Sequence, residues 1–374
     1  MKTAFWISFL FTLYVYLLYP IAIWCLAKMR PREPGGPHDL PASPRARVSV
    51  CIAARNEAAC LAHKIDNLCA QDYPQELLEI IVASDGSTDQ TLELLRADVR
   101  VTAVDCAPRG KAAAINSAVA AATGSILVLT DARQCLNRGA ISALVDRLRD
   151  PTVGIVSGEL IHLDPASNVE ANIGLYWRYE KRIRRAESEH FSTVGATGAL
   201  YAMRKADFVP LPLGTILDDF DAPMAVIKTG KRAVFESDAR AYDILETNVA
   251  NERRRKTRTL AGNWQSLIRN PWLLNPASNP VWWQYLSHKL GRLLVPFALI
   301  IMLATACNVA SIPYQLFALM QVTFWGGALI GLAFPAMQRF RPIGLASMFL
   351  ELNAAAVLGL LSFSFGRSGR LWNR

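Results

Sequence analysis

Four long apolar runs frame a polar middle: Phe5 to Leu26, Leu293 to Ile312, Leu316 to Met337 and Ile343 to Phe365. A bilayer core of about 30 Å takes about 20 apolar residues as helix. Each run is long enough to cross one. The first is long for the apolar part of a signal peptide, lacks an Ala-x-Ala site and is followed by Lys28, Arg30 and Arg32, so it reads as a span that is kept. Between the first and second runs the pattern changes to short apolar stretches alternating with helical spacings. "VSVCIAA" (48–54), "EIIVAS" (79–84), "VRVTAV" (99–104) and "SILVLT" (125–130) read as strands. "EAACLAHKIDNLCAQ" (57–71) places Leu61, Ile65, Leu68 and Cys69 on one helical face. "STDQTLELLRA" reads as a helix capped by its Ser and Thr, and "GKAAAINSAVAAAT" (110–123) as an Ala-rich helix.

Near-continuous apolar strands alternating with helices predict an α/β domain whose mostly parallel sheet is covered on both faces. Ligands of such sheets bind beyond the carboxyl ends of the strands. The residues there are Arg55-Asn56-Glu57, Asp85-Gly86-Ser87, Arg109-Gly110-Lys111 and Asp131-Ala132-Arg133. Taken singly, an acid after a strand is usually a turn or helix cap. Two acids, a Gly-Lys pair and several arginines on one rim point to a nucleotide diphosphate.

Charge adds an orientation. Hydrophobic residues make up 52% of the 374-residue chain, and the net charge is +9. Basic residues after the first span predict that the polar middle is cytoplasmic, with the N-terminus outside. The expected organisation is a first span (1–28), a linker (29–47), the α/β domain (48–265), Trp- and Pro-rich interfacial segments (266–291), three spans (292–366) and a tail (367–374). Arg339 and Arg341 then fall inside as the rule asks. Arg367, Arg370 and Arg374 fall outside, against it, unless one segment is re-entrant. The seven cysteines form no C-x-x-C pair and read as reduced core residues. No internal repeat is visible, and no nucleic-acid partner is expected.

The order of motifs resembles family 2 glycosyltransferases of the GT-A, Rossmann-like fold. It is carried by "VSVCIAARNEAACLAHKIDNLCAQDYPQELLEIIVASDGSTDQT" and "RGKAAAINSAVAAATGSILVLTDA" and covers roughly residues 45 to 265. With flanking spans, the chain is similar to the membrane-integral branch that includes cellulose, hyaluronan, chitin-oligosaccharide and poly-N-acetylglucosamine synthases. The resemblance implies an inverting transfer from a nucleotide sugar, expected to be a UDP-sugar, with Mg²⁺ or Mn²⁺ as cofactor. It implies that Ala54, Arg55 and Glu57 line the base and ribose, that Asp85 contacts them, that Lys111 lies near the phosphates, and that Asp131 opens a D-x-D motif near the metal. In "ILDDFDAPM" Asp219 takes the place of the catalytic base, with Asp218 beside it. "RRRKTRTLAGNW" occupies the Q-x-x-R-W position, where Arg255 stands for Gln, Arg258 matches Arg and Thr259 stands for Trp. "GATGALYAMR", with Gly198, resembles the acceptor-side loop. The physics agrees: an acceptor hydroxyl needs a base within hydrogen-bond reach, and a leaving diphosphate needs positive charge.

Two departures bear on function. Arg133 replaces the last acid of D-x-D; a metal can still take Asp131, phosphate and water, and Arg133 is expected on Asp131, Asp85 or the phosphates. The Trp of Q-x-x-R-W is absent, which weakens the case for long-chain polymerisation. In "GLYWRYEKRIRRAESEHF", aromatic and basic residues suit a membrane interface, or Trp177 and Glu180 line an acceptor cleft. The leading expectation is a multi-pass inner-membrane enzyme extending a polysaccharide or oligosaccharide, among membrane lipids and with partner subunits of an export complex. The alternatives are transfer of one sugar to a lipid-linked acceptor, and a catalytically decayed binding or scaffold subunit.

Overall fold

The computed structural model describes residues 1–29, 45–167, 169–170, 175–246 and 248–365. The expected tail (367–374) and most of the expected linker lie outside the described residues. In chain order the elements are α1 (Lys2–Met29), β1 (Val48–Ala54), α2 (Ala58–Cys69), β2 (Leu78–Asp85), α3 (Thr91–Ala97), β3 (Val101–Cys106), α4 (Lys111–Ala121), β4 (Ile126–Thr130), β5 (Cys135–Leu136), α5 (Ala140–Arg147) and β6 (Val153–Leu163). They continue with α6 (Leu175–His190), β7 (Leu200–Arg204), α7 (Asp218–Ile227), β8 (Arg232–Ile244), α8 (Val249–Arg269), α9 (Trp282–Asn308), α10 (Ile312–Ala333) and α11 (Arg341–Ser364).

Two compact units emerge, and they do not follow chain order. One gathers Met1–Ala22, Thr247–Arg269 and Trp283–Arg374; the other gathers Ile23–Glu246 and Asn270–Trp282. The second holds an eight-stranded sheet in the order β3-β2-β1-β4-β7-β6-β8-β5. The first four of these are parallel neighbours, which is the half that the apolar strand pattern predicts. β7 then runs antiparallel to both β4 and β6, β6 and β8 are parallel, and β5 is antiparallel to β8, so the sheet is mixed and mostly parallel. Val48, Val50 and Ile52 of β1 and Leu61, Ile65 and Leu68 of α2 belong to one buried core. Burying each such side chain contributes about 1.5–3 kcal/mol.

One cap differs from expectation. The helix expected from Ser87 starts at Thr91. Asp89 does the capping: its carboxylate accepts the N–H groups of Thr91 (3.0 Å) and Ala58 (3.1 Å), tying the starts of α3 and α2 together. Among the described residues, four helices, lying wholly or mostly in the helical unit, are long and apolar enough to cross a membrane. Two apolar runs are re-divided: α9 ends at Asn308 and α10 begins at Ile312, because Ser311 is extended and Pro313 suits a first helical turn. α8 fastens to α11 through Lys256, which pairs with Glu351 at 3.2 Å, and through Trp264, whose indole N–H donates to the Ala356 carbonyl at 3.3 Å. All seven cysteines are free thiols.

Candidate active site

Parallel register sets the carboxyl ends of β1, β2 and β4 side by side. Ala54 pairs with Ser84, and Cys51 with Leu129. β7 arrives from the opposite direction, Leu200 pairing with Thr130, so its first residues reach the same rim.

Asp85, the last residue of β2, is fully buried. Its carboxylate accepts the N–H groups of Arg109 and Gly110, each at 2.9 Å, and faces Arg55 at 3.5 Å. Gly110 needs its glycine, with φ +94°. The acid thereby fixes the turn that launches Lys111, the first residue of α4. Asn56, at φ 55°, accepts the Thr88 N–H at 2.8 Å and ties the turn after β1 to the turn after β2. Glu57 pairs with Arg133 at 3.2 Å; this, rather than Asp131 or Asp85, is the acid that Arg133 meets.

Lys111 joins the two halves of the rim. Its ammonium lies 2.8 Å from Asp131 and 3.1 Å from Asp218. Burial opposes the ammonium charge, yet Asp131 and Asp218 together hold Lys111 above the ordinary lysine value. Burial pushes the Asp218 carboxyl up to about 6 against the pull of Lys111, with Asp219 and Asp131 adding to the rise.

Asp219 is half-buried, and backbone amides hold it. The Gly198 N–H donates to its carboxylate at 3.0 Å, and the Ala196 N–H donates to its carbonyl at 2.8 Å. Pro223 explains why that carbonyl is available: it sits four residues on, inside α7, and has no N–H to give. A side chain at Gly198 would come within 3.0 Å of the Asp219 carboxylate, so Gly198 is placed against the acid that resembles the base.

Trp177 and Glu180 lie on α6. Trp177 packs edge-on against His162 at 5.4 Å, and Glu180 is buried and pairs with Arg184 at 3.6 Å. Arg255 and Arg258 lie on α8 in the helical unit, the first exposed and the second half-buried.

Two residues that the sequence reading passed over belong to this site. Tyr201 on β7 is fully buried, and its hydroxyl has no hydrogen-bond partner among the described residues. Burial raises its pKa well above the usual tyrosine value, and Asp218, Asp219 and Asp131 add to that rise. Lys64 on α2 is 1% exposed, and burial pushes it down to about 8. The signal for Lys64 was present: it is three residues after Leu61 and four before Leu68, on the face that faces the core.

Among the described residues, no group of three or more His, Cys, Asp or Glu is gathered as metal ligands. Asp131, with a side chain 38% exposed, can offer a divalent ion one carboxylate, leaving phosphate and water to supply the rest. That donor set fits an ion brought in with a diphosphate better than a resident one.

Residues 49–209 match the family model described as glycosyl transferase family 2. An N-acetylglucosaminyltransferase of Azorhizobium caulinodans is 29% identical over 46% of this chain and 45% of its own length. A beta-monoglucosyldiacylglycerol synthase of Synechocystis is 30% identical over 30% of this chain and 25% of its own. The chain thus spans less than half the length of these two curated relatives. A solved structure, the mannosyltransferase PcManGT from Pyrobaculum calidifontis in complex with GDP-Man and Mn²⁺, superimposes with a TM-score of 0.71 at 24% identity, over 97% of this chain and 99% of that one. This likeness bears on the fold.

Proposed function

We propose, from the match of residues 49–209 to the glycosyl transferase family 2 model, that the protein is an inverting membrane glycosyltransferase. It moves a sugar from a nucleotide diphosphate, a UDP-sugar, to a growing saccharide. The observation that carries this reading is Lys111 standing between Asp131 and Asp218, next to an Asp219 held by the Gly198 N–H. A positive charge for a leaving diphosphate and a carboxylate for an incoming hydroxyl are therefore adjacent.

The chemistry follows from that adjacency. Asp219 accepts the proton of the acceptor hydroxyl. The oxygen attacks the anomeric carbon from the face opposite the diphosphate, which gives inversion. The bond from the anomeric carbon to the phosphate oxygen breaks, and its electron pair leaves with the diphosphate. Lys111 stabilises that charge, and Arg55, Glu57 and Asp85 shape the nucleoside side. A divalent ion on Asp131 would supply further charge to the phosphate oxygens. The catalytic domain faces the cytoplasm of an inner membrane, by the placement of Lys28, Arg30 and Arg32. A second reading, transfer of one sugar to a lipid acceptor, is favoured by the likeness to a diacylglycerol glycosyltransferase.

Membranes containing the protein, given radiolabelled nucleotide sugars one at a time, test the reading. Labelled product should form from one donor, be lost in EDTA and return with Mn²⁺ or Mg²⁺. Extraction into organic solvent marks a glycolipid, and retention in water marks a saccharide chain. No transfer from any donor would reject the enzyme reading. Full activity in EDTA would reject the metal on Asp131.

A further inference from the structure

Lys64 is a buried cation on an otherwise apolar helix face, and the structure gives it no ion pair among the described residues. Taking an ammonium out of water is costly. A methionine would fill this face without that cost, so packing alone does not account for a lysine here. Its contacts point elsewhere. Nζ donates to the Gln134 carbonyl at 2.6 Å and to the Thr130 hydroxyl at 3.1 Å. These two residues bracket Asp131-Ala132-Arg133, the segment that carries the donor-side acid. The Thr130 hydroxyl in turn donates to the Ala199 carbonyl at 2.7 Å. Ala199 follows Gly198, whose N–H holds the Asp219 carboxylate. A continuous path thus runs from Lys64 to both acids of the proposed reaction, within one compact unit.

We propose that Lys64 is a positioning residue: its ammonium clamps the 131–134 segment from below and, through Thr130 and Ala199, sets the loop that holds Asp219. The proposal rests on the reading of Asp131 as the donor-side acid and Asp219 as the base. It assigns Lys64 no contact with substrate. The two branches of the path have different consequences. The Gln134 branch serves donor binding, and the Thr130 branch serves the placement of the base.

The test uses the full chain in membranes or nanodiscs, with the Lys64→Met, Lys64→Arg, Thr130→Val and Asp219→Asn variants. Binding of UDP, with GDP in parallel, is measured beside kcat and donor KM. Misplacing reacting groups by about 1 Å costs on the order of 100-fold. Lys64→Met should therefore lose roughly 10- to 100-fold in kcat and bind UDP more weakly, while melting no lower than wild type. Lys64→Arg should recover part of both losses. Thr130→Val should lower kcat and leave UDP affinity unchanged. Wild-type kcat and affinity in Lys64→Met, with Asp219→Asn inactive, would overturn the proposal alone. So would a Lys64→Met that only unfolds while Thr130→Val behaves as wild type. Wild-type turnover in Asp219→Asn would instead remove the reading on which the proposal rests.

Discussion

The two halves of the rim are fastened by opposite means. On the side of β1, β2 and β3, side chains hold backbone: Asp85 takes the N–H groups of Arg109 and Gly110, and Asn56 takes that of Thr88. On the side of β7 and α7, backbone holds the acid: the Gly198 N–H donates to the Asp219 carboxylate and the Ala196 N–H to the Asp219 carbonyl. The difference suits two tasks. A donor half must present a shaped loop to a ligand, so buried acids fix the loop. A base must keep its carboxylate open to the acceptor, so a single backbone amide, rather than a side chain, holds it. Lys111 reaches across, touching Asp131 on one side and Asp218 on the other.

Breaking the donor half should give the largest effect on UDP binding. Asp85→Asn keeps one oxygen for the Arg109 and Gly110 amides but presents an NH₂ to Arg55 and to the second Gly110 contact, at 3.1 Å. Leaving such donors unpaired costs about 1–3 kcal/mol, roughly 10- to 100-fold if it falls on binding. UDP affinity should drop by that much, with a smaller change in the turnover of bound substrate. Unchanged UDP affinity would mean that the Arg109-Gly110 turn is held by other contacts.

The base half is sharpened by Pro223→Ala. The new N–H would compete with Ala196 for the Asp219 carbonyl, closing α7 on itself and loosening the loop. Stability should change by no more than about 1 kcal/mol, since the restored helical bond offsets the lost proline rigidity. Turnover should fall several-fold, and UDP binding should stay. A loss of UDP binding equal to the loss of turnover would refute the division between the halves.

How much of this was visible in the chain follows the same division. β1, β2 and β4 are short, nearly continuous apolar runs, so their positions and the acids after them could be read directly. β6 and β8 were not legible. β8 reads "RAVFESDARAYDI", and its pairing with β6 slips register at Ser157/Glu159, which spoils the alternation that marks a strand. Asp218-Asp219 stood out as acids, but their different surroundings did not: the contact of Asp218 with Lys111 spans the domain, and the exposure of the Asp219 carbonyl depends on Pro223. Ser87 and Thr88 looked like caps because the residue types fit, while Asp89 reaches both helix starts. Tyr201 lies in "GATGALYAMR", which resembles an acceptor-side loop, and its burial emerges only once β7 is placed beside β4 and β6.

The smallest effect expected is on stability, at the crossing point. Burial raises Asp218 from 3.8 to about 6. The folded state then binds this proton more tightly than the unfolded one. The stability that this gives is complete below the ordinary carboxylate value and is lost as pH rises through about 6. Asp218→Asn does not ionise and escapes that loss. Its melting temperature relative to wild type should climb between pH 4 and 7 and level off above, by a few degrees at most. A difference that is flat with pH would place the ionisation of Asp218 outside this range.

The central claim is that Asp219, held by amides beside Lys111, takes the acceptor's proton. Asp219→Asn keeps its shape and the Gly198 contact and removes only basicity. Loss of a general base lowers rates by about 10²–10⁴-fold. Sugar transfer by membranes carrying this variant, measured with UDP binding on the same preparation, should fall by that factor with affinity intact. Transfer at the wild-type rate would contradict the account.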